Sequence, residues 1–183
     1  SYVAAPGPVV LPLLALAVLW LVLWQGWRRV LGVPVAVAAL TLWTQVERPT
    51  VLVAQTGSLS GVLTDEGRAL STPTGDGLAA ESSLENDGDP ALQATAHARP
   101  AFLEEGRQRD VTLGGQTIRH ATGKVAAKAA LSECSKVHLL IVNVALDAPN
   151  GCRLYDIRRL RESGSLALRH GPEGLKITSA KDV

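Results

Sequence analysis

VVLPLLALAVLWLVLWQGWRRVLGVPVAVAALTLWTQV, residues 9–46, decides how this chain is organised. From Val9 to Trp24 it holds no charge, and Pro12 is the only helix breaker. At about 1.5 Å per residue, Val9–Trp27 reaches roughly 28 Å and Val30–Val46 about 26 Å, close to the hydrocarbon thickness of a bilayer. Pro12 and Pro34 fall in first turns, where a missing N–H costs least. The pattern predicts a transmembrane helical hairpin with spans of about 9–27 and 30–46, within an anchor over 9–48. A short flank, 1–8, precedes it.

A buried helical pair in a water-soluble core fits less well, because such helices keep a polar stripe and these keep almost none. A cleaved signal peptide also fits poorly: the first seven residues lack Lys and Arg, and a second apolar run follows at once. Trp24 and Trp27 flank the connecting Arg28-Arg29, and Trp43 lies near the far end, the positions of interfacial anchors. Trp20 is deeper and is expected to pack. The positive-inside rule places Arg28 and Arg29 in the cytoplasm. Both chain ends then lie across the membrane, which for a bacterial inner membrane is the periplasm.

The remainder, 51–183, is long enough for one modest domain. Before Val51 the charged residues are Arg28, Arg29, Glu47 and Arg48, which leaves the rest nearly neutral. Such a domain has no global field for holding nucleic acid, so any such contact needs a local cluster. The chain begins at Ser1 and contains no Met, which suggests a processed chain or a piece of a longer one. Cys134 and Cys152 flank an apolar strand candidate and its turn. In a periplasmic setting a bridge between them would close a loop of about 19 residues and stabilise by on the order of 3 kcal/mol. The alternative is two ordinary thiols.

In order along the chain, 51–54, 59–63 and 68–71 read as a β-meander. Residues 72–77 read as a loop, 78–84 as a short helix, and Asn86-Asp87-Gly88-Asp89-Pro90 as a solvated turn lacking the calcium-loop pattern. Residues 91–98 read as helical and 100–108 as a polar connection. Residues 110–113 and 116–119 form a hairpin over Gly114-Gly115. Lys124–Cys134 reads as an amphipathic helix burying Val125, Ala129 and Leu131, with Lys124, Lys128 and Glu133 in water. Val137–Leu146 is a nearly continuous apolar run, the central strand buried on both faces. Asp147–Gly151 is a turn, 153–155 is extended, and Asp156 caps a helix over 157–163 that Gly164 ends. Residues 165–169 and 175–178 close the chain as a hairpin. The whole predicts a small mixed α/β soluble domain preceded by a transmembrane α-helical hairpin.

No phosphate-binding GxxxxGK[ST], no GxGxxG opening a helix and no GxSxG elbow is present. His97, His120, His138 and His170 are scattered without metal-ligand spacing, and His138 reads as a hydrogen-bonded structural histidine. No cofactor and no metal site is expected. One cluster remains: Arg153, Arg158, Arg159 and Arg161, with Arg169 on the next strand. It is a candidate for phosphate contacts through charge-assisted bonds. The competing reading is a solvated helix surface paired with Asp156 and Glu162. One Phe and two Tyr supply little for base stacking.

APGPVVLPLLALAVLWLVLWQGW at 5–27, LTLWTQVERPTVLV at 40–53, GVLTDEGRALS at 61–71, LENDGDP at 84–90 and CRLYDIRRLRESGSLALR at 152–169 resemble, in that order, the C-terminal part of ComEC-family competence proteins of alphaproteobacteria. The two cysteines fall where that form has them. The resemblance implies the last two membrane helices and the tail of an inner-membrane channel that takes up single-stranded DNA in natural transformation. Its partners would be the lipid bilayer, the remaining transmembrane part of the channel, and single-stranded DNA. Many relatives carry a metallo-β-lactamase-like domain, whose HxHxDH-type ligand set is absent here; the tail would then be a degenerate remnant without nuclease activity. The rivals are a membrane-anchored periplasmic interaction module with no DNA role, and a metal-dependent nuclease or hydrolase, for which the chain lacks a ligand set.

Overall fold

The computed structural model describes residues 9–44, 48–171 and 174–181. It divides into two compact units, Ser1–Arg48 and Pro49–Val183. The expected flank 1–8, residues 45–46 of the second expected span, Glu47, and Pro172-Glu173 of the closing turn lie outside the described residues.

The first unit is a pair of packed helices, α1 (Val10–Leu23) and α2 (Gly32–Thr44), joined by a 3-10 helix over Gly26–Leu31. The expected first helix to Trp27 is corrected to end at Leu23. Trp24 and Gln25 are extended and Gly26 takes φ 73°, a conformation that breaks the helix and favours glycine. Trp20 stacks on Trp24 with ring centroids 4.8 Å apart, and its Nε1 donates to Arg28 O at 3.0 Å. A Cβ on Gly32 would meet Leu21 Cγ at 2.7 Å and Ala17 O at 3.0 Å, so the helices approach closely there. Among the described residues no helix is long and apolar enough to cross a membrane. Most of the large side chains of the pair nonetheless face outward, including Leu11, Leu16, Leu19, Val22, Leu23, Val37 and Leu40.

The second unit is a small mixed α/β fold built on two five-stranded sheets. The meander is present as β1 (Val51–Val53), β2 (Ser60–Thr64) and β3 (Gly67–Leu70). Helices α3 (Gly77–Asn86) and α4 (Gln93–His97) follow. The polar connection expected over 100–108 instead contributes β4 (Leu103–Glu105) and the start of β5 (Gln108–Leu113), which continues through Gly114-Gly115 into β6 (Gln116–Ala121). Helix α5 (Lys124–Ser132) carries the chain over to β7 (Leu139–Val142), parallel to β6, and β8 (Leu154–Tyr155) adds parallel to β7. Helix α6 (Ile157–Ser163) returns the chain to β9 (Leu166–Gly171) and β10 (Gly174–Ser179). The first sheet runs β10-β9-β1-β2-β3, all antiparallel; the second runs β4-β5-β6-β7-β8.

Strand alternation sets the layers. Leu139 and Ile141 of β7 join Ile118, Val51, Val53, Val62, Leu166 and Leu168 in a core shared by both sheets. Leu140 and Val142, on the other face of β7, pack beneath α5. Leu70 and Leu59 pack beneath α3 and α4. The result is helix, sheet, sheet, helix, with Leu160 of α6 buried in the middle core. All four residues of β7 are buried, as a two-faced strand requires, but it is shorter than 137–146.

Two further expectations are corrected. Helix α5 buries Ala127 and Ala130, while Val125 is 86% exposed and Ala129 is exposed. The turn at Asn86–Pro90 is solvated only at Asn86 and Pro90: Asp87 and Asp89 are both buried. Their charges meet Arg68 and Arg99, which arrive from β3 and from beyond α4. His138 is hydrogen-bonded as expected, its Nδ1 accepting from Thr117 N at 3.1 Å, although it is exposed; His120 is buried. Cys134 and Cys152 form a disulfide with a Cα separation of 5.7 Å, tying the end of α5 to the strand leading into α6.

Candidate nucleic-acid interface

The arginine cluster is organised by Asp156. Its carboxylate accepts from Arg159 N at 3.0 Å, capping α6, and from Leu146 N at 3.3 Å and Arg158 Nε at 2.8 Å. Burial alone pushes this carboxyl up. The Arg159 amide, the Arg158 side chain and the Leu146 amide outweigh that effect and hold it below the usual aspartate value. Arg158 also reaches exposed Asp147 at 2.8 Å and Leu146 O at 3.0 Å. Its charge is therefore largely met within the chain.

Arg159 lies with its guanidinium 4.5 Å from the centre of the Tyr155 ring and donates to Leu154 O at 3.1 Å. Arg153 and Arg161 are exposed, and among the described residues no carboxylate is paired with either. Arg169 is not part of the α6 surface. It sits half-buried on β9, opposite Lys176 of β10, about 17 Å of strand beyond Gly164. The expected cluster thus separates into one neutralised arginine, one stacked arginine, two open ones and one on another strand.

The fold brings a cation to α6 that sequence reading missed. Lys181 Nζ donates to Arg161 O at 3.3 Å, and Gln55 Nε2 reaches the same carbonyl at 3.5 Å. The β9–β10 register explains the position, since pairing continues past the strand ends with Ala180 N donating to Ser165 O at 2.9 Å. Extending the predicted closing hairpin by that register would have found Lys181. Beside it opens a cavity of about 580 Å³ between the outer face of the first sheet and α3. Leu52, Leu59 and Leu70 line its apolar part; Ser82, Asn86 and Lys181 line its polar part.

The second polar centre joins the two sheets. His120 Nε2 lies 2.8 Å from Gly57 O and its Nδ1 3.0 Å from Ser60 Oγ. A carbonyl only accepts, so Nε2 carries the proton and Nδ1 accepts from the serine. The ring is fully satisfied when neutral. Burial, first, and then nearby Arg109 push its pKa down, against the opposing pull of Gly57 O. Both side chains are almost wholly buried, which makes this pair a structural pin between β2 and β6. Among the described residues no group of three or more His, Cys, Asp or Glu stands together to hold a metal ion.

Comparison with protein-family models, with curated proteins and with solved structures finds no match to this chain.

Proposed function

We propose that this chain is the C-terminal part of an inner-membrane channel for single-stranded DNA, with 49–183 handling DNA on the periplasmic side. The ordered resemblance to ComEC-family proteins supports this reading. So do Arg161 and Lys181, which meet at the last turn of α6, and exposed Arg153 ahead of β8, all three without carboxylate partners among the described residues. Those open cations are the observation that carries the DNA role. The apolar helix pair, whose large side chains face outward on both helices, supports membrane association, since exposed apolar surface of this extent seeks lipid or protein. Trp24, Trp27 and Trp43 would sit at the bilayer interfaces, with Arg28 and Arg29 on the cytoplasmic side. The domain would be a metal-free remnant of a metallo-β-lactamase-like fold, and not a nuclease.

The test is titration of the full chain in detergent with a fluorescent single-stranded oligonucleotide at several salt concentrations. Two or three phosphate contacts give a log–log salt slope of about −1.4 to −2. The double variant R153A/R161A should lower that slope by about 1.4, whereas R158A should leave it nearly unchanged. Binding that is absent, or that ignores salt, would remove the DNA role and leave a membrane-anchored interaction module.

A further inference from the structure

The cavity beside Lys181 is built by the register of the first sheet. Leu52 of β1, Gly61 of β2 and Leu70 of β3 pair directly across neighbouring strands, so they share one face, the face turned to α3. Gly61, where a Cβ would lie 2.8 Å from Arg68 Cδ, leaves no side chain at the centre of that row. Leu59 and Ala54 stand at the side and Ala79 of α3 above, so the walls are aliphatic.

Its polar groups are few and placed apart from that floor. Ser82 and Asn86 stand one turn apart on α3 and make no side-chain hydrogen bond among the described residues. At the end formed by the turn after β10, Lys181 Nζ donates to Arg161 O, where Gln55 Nε2 also converges. An ammonium carries further N–H donors, and these remain for a ligand. Among the described residues no Asp or Glu lines the cavity. Asp76, which touches the lining through Thr56, already accepts the Thr56 hydroxyl.

The lining discriminates between ligand classes. It holds no aromatic ring, which leaves a nucleobase without a stacking partner. A lone ammonium answers a single negative charge, whereas a phosphate monoester calls for a bidentate arginine or several cations. The aliphatic floor suits an alkyl chain, and about 580 Å³ lies within the roughly 300–1,000 Å³ of small-molecule sites.

We propose that this cavity binds a free medium-chain aliphatic carboxylate, with its alkyl chain along Leu52, Leu59 and Leu70 and its head on Lys181. The Ser82 hydroxyl and the Asn86 amide supply further donors. Lys181 is the only side chain shared with the proposed DNA contacts, so carboxylate binding and oligonucleotide binding succeed or fail separately.

Octanoate and 1-octanol, alike in chain and different in charge, test this by calorimetric titration into the full chain in nanodiscs of zwitterionic lipid, with empty nanodiscs subtracted. Octanoate should bind roughly tenfold more tightly than octanol at neutral pH, as a charge-paired head group requires. Lys181→Gln should erase that preference and leave octanol binding unchanged, while Lys181→Arg should keep it. An octanoate analogue with a terminal diazirine should label 52–61 or 79–86, and excess octanoate should suppress the label. No saturable octanoate binding, equal affinity for the two ligands, a preference that survives Lys181→Gln, or labelling confined to other segments would overturn the proposal.

Discussion

Asp87 and Asp89 sit in a sequence stretch that composition alone assigns to water, and the fold buries both. Arg68, fully buried on β3, pairs with Asp87 and donates to Gly61 O and Pro49 O, so one guanidinium ties the start of the domain to the end of α3. Arg99 holds Asp89, whose pKa burial raises but whose Arg99 and Ala91 hydrogen bonds lower it further, below the usual aspartate value. Removing one partner from a buried pair leaves an uncompensated charge. Asp87→Ala is therefore expected to cost about 3–5 kcal/mol in urea unfolding followed by far-UV circular dichroism. The double change R68M/D87L should recover much of that loss, because the stranded charge goes too. Tryptophan fluorescence is unsuited to this measurement, since all four tryptophans precede Val51.

Histidine 120 sets the acid side of stability. Its folded pKa lies below the ordinary value of 6.5, so the unfolded chain binds a proton that the folded chain refuses. Stability is thus complete above about pH 6.5 and declines as pH falls from there toward the folded pKa. A second loss follows below the aspartate value of 3.8, as Asp89 and Asp156 are forced to protonate. Urea midpoints measured between pH 7.5 and 5 should fall for the parent chain and fall less for His120→Gln. Equal slopes in the two chains would show that His120 does not govern this range.

Among the elements, short-range signals lie in the sequence itself and long-range pairings do not. The Gly114-Gly115 hairpin, the Asp156 cap and the Gly164 stop are each encoded within a few residues, and each is where the sequence puts it. The strand β7 announces itself because burial on both faces needs apolar residues in succession. Nothing local marks Arg68 as the partner of Asp87, nineteen positions apart along the chain. The same holds for Ser60 and His120, whose pairing depends on how two sheets meet. Helix α5 departs for another reason: its apolar positions are mostly alanine, so its periodicity is ambiguous and the large Val125 points to a face that the fold leaves exposed. Val125→Lys is expected to change stability by less than about 0.5 kcal/mol. Ala130→Leu, under α5 against Leu140 and Val142, should cost about 1–3 kcal/mol by overpacking. A large effect at Val125 would mean that this face is covered.

For the whole molecule, the candidate site was legible as a set of arginines and not as an arrangement. The spacing of Arg158, Arg159 and Arg161 gave a helix surface, but only the fold shows Asp147 and Asp156 neutralising Arg158 while Lys181 arrives from the chain end. The disulfide adds a second whole-chain feature, because a Cys134–Cys152 bridge persists in oxidising compartments and is rare in a reducing cytosol. An oxidising compartment is also what the proposed periplasmic placement of 49–183 requires. The proposed function requires an apolar anchor that holds 49–183 outside the cytosol. Protease digestion of spheroplasts and of inverted vesicles from a bacterium expressing the full chain tests it most directly. The chain should sediment with membranes, losing 49–183 in spheroplasts and keeping it in inverted vesicles. Recovery in the soluble fraction without detergent, or digestion of 49–183 only in inverted vesicles, would contradict it.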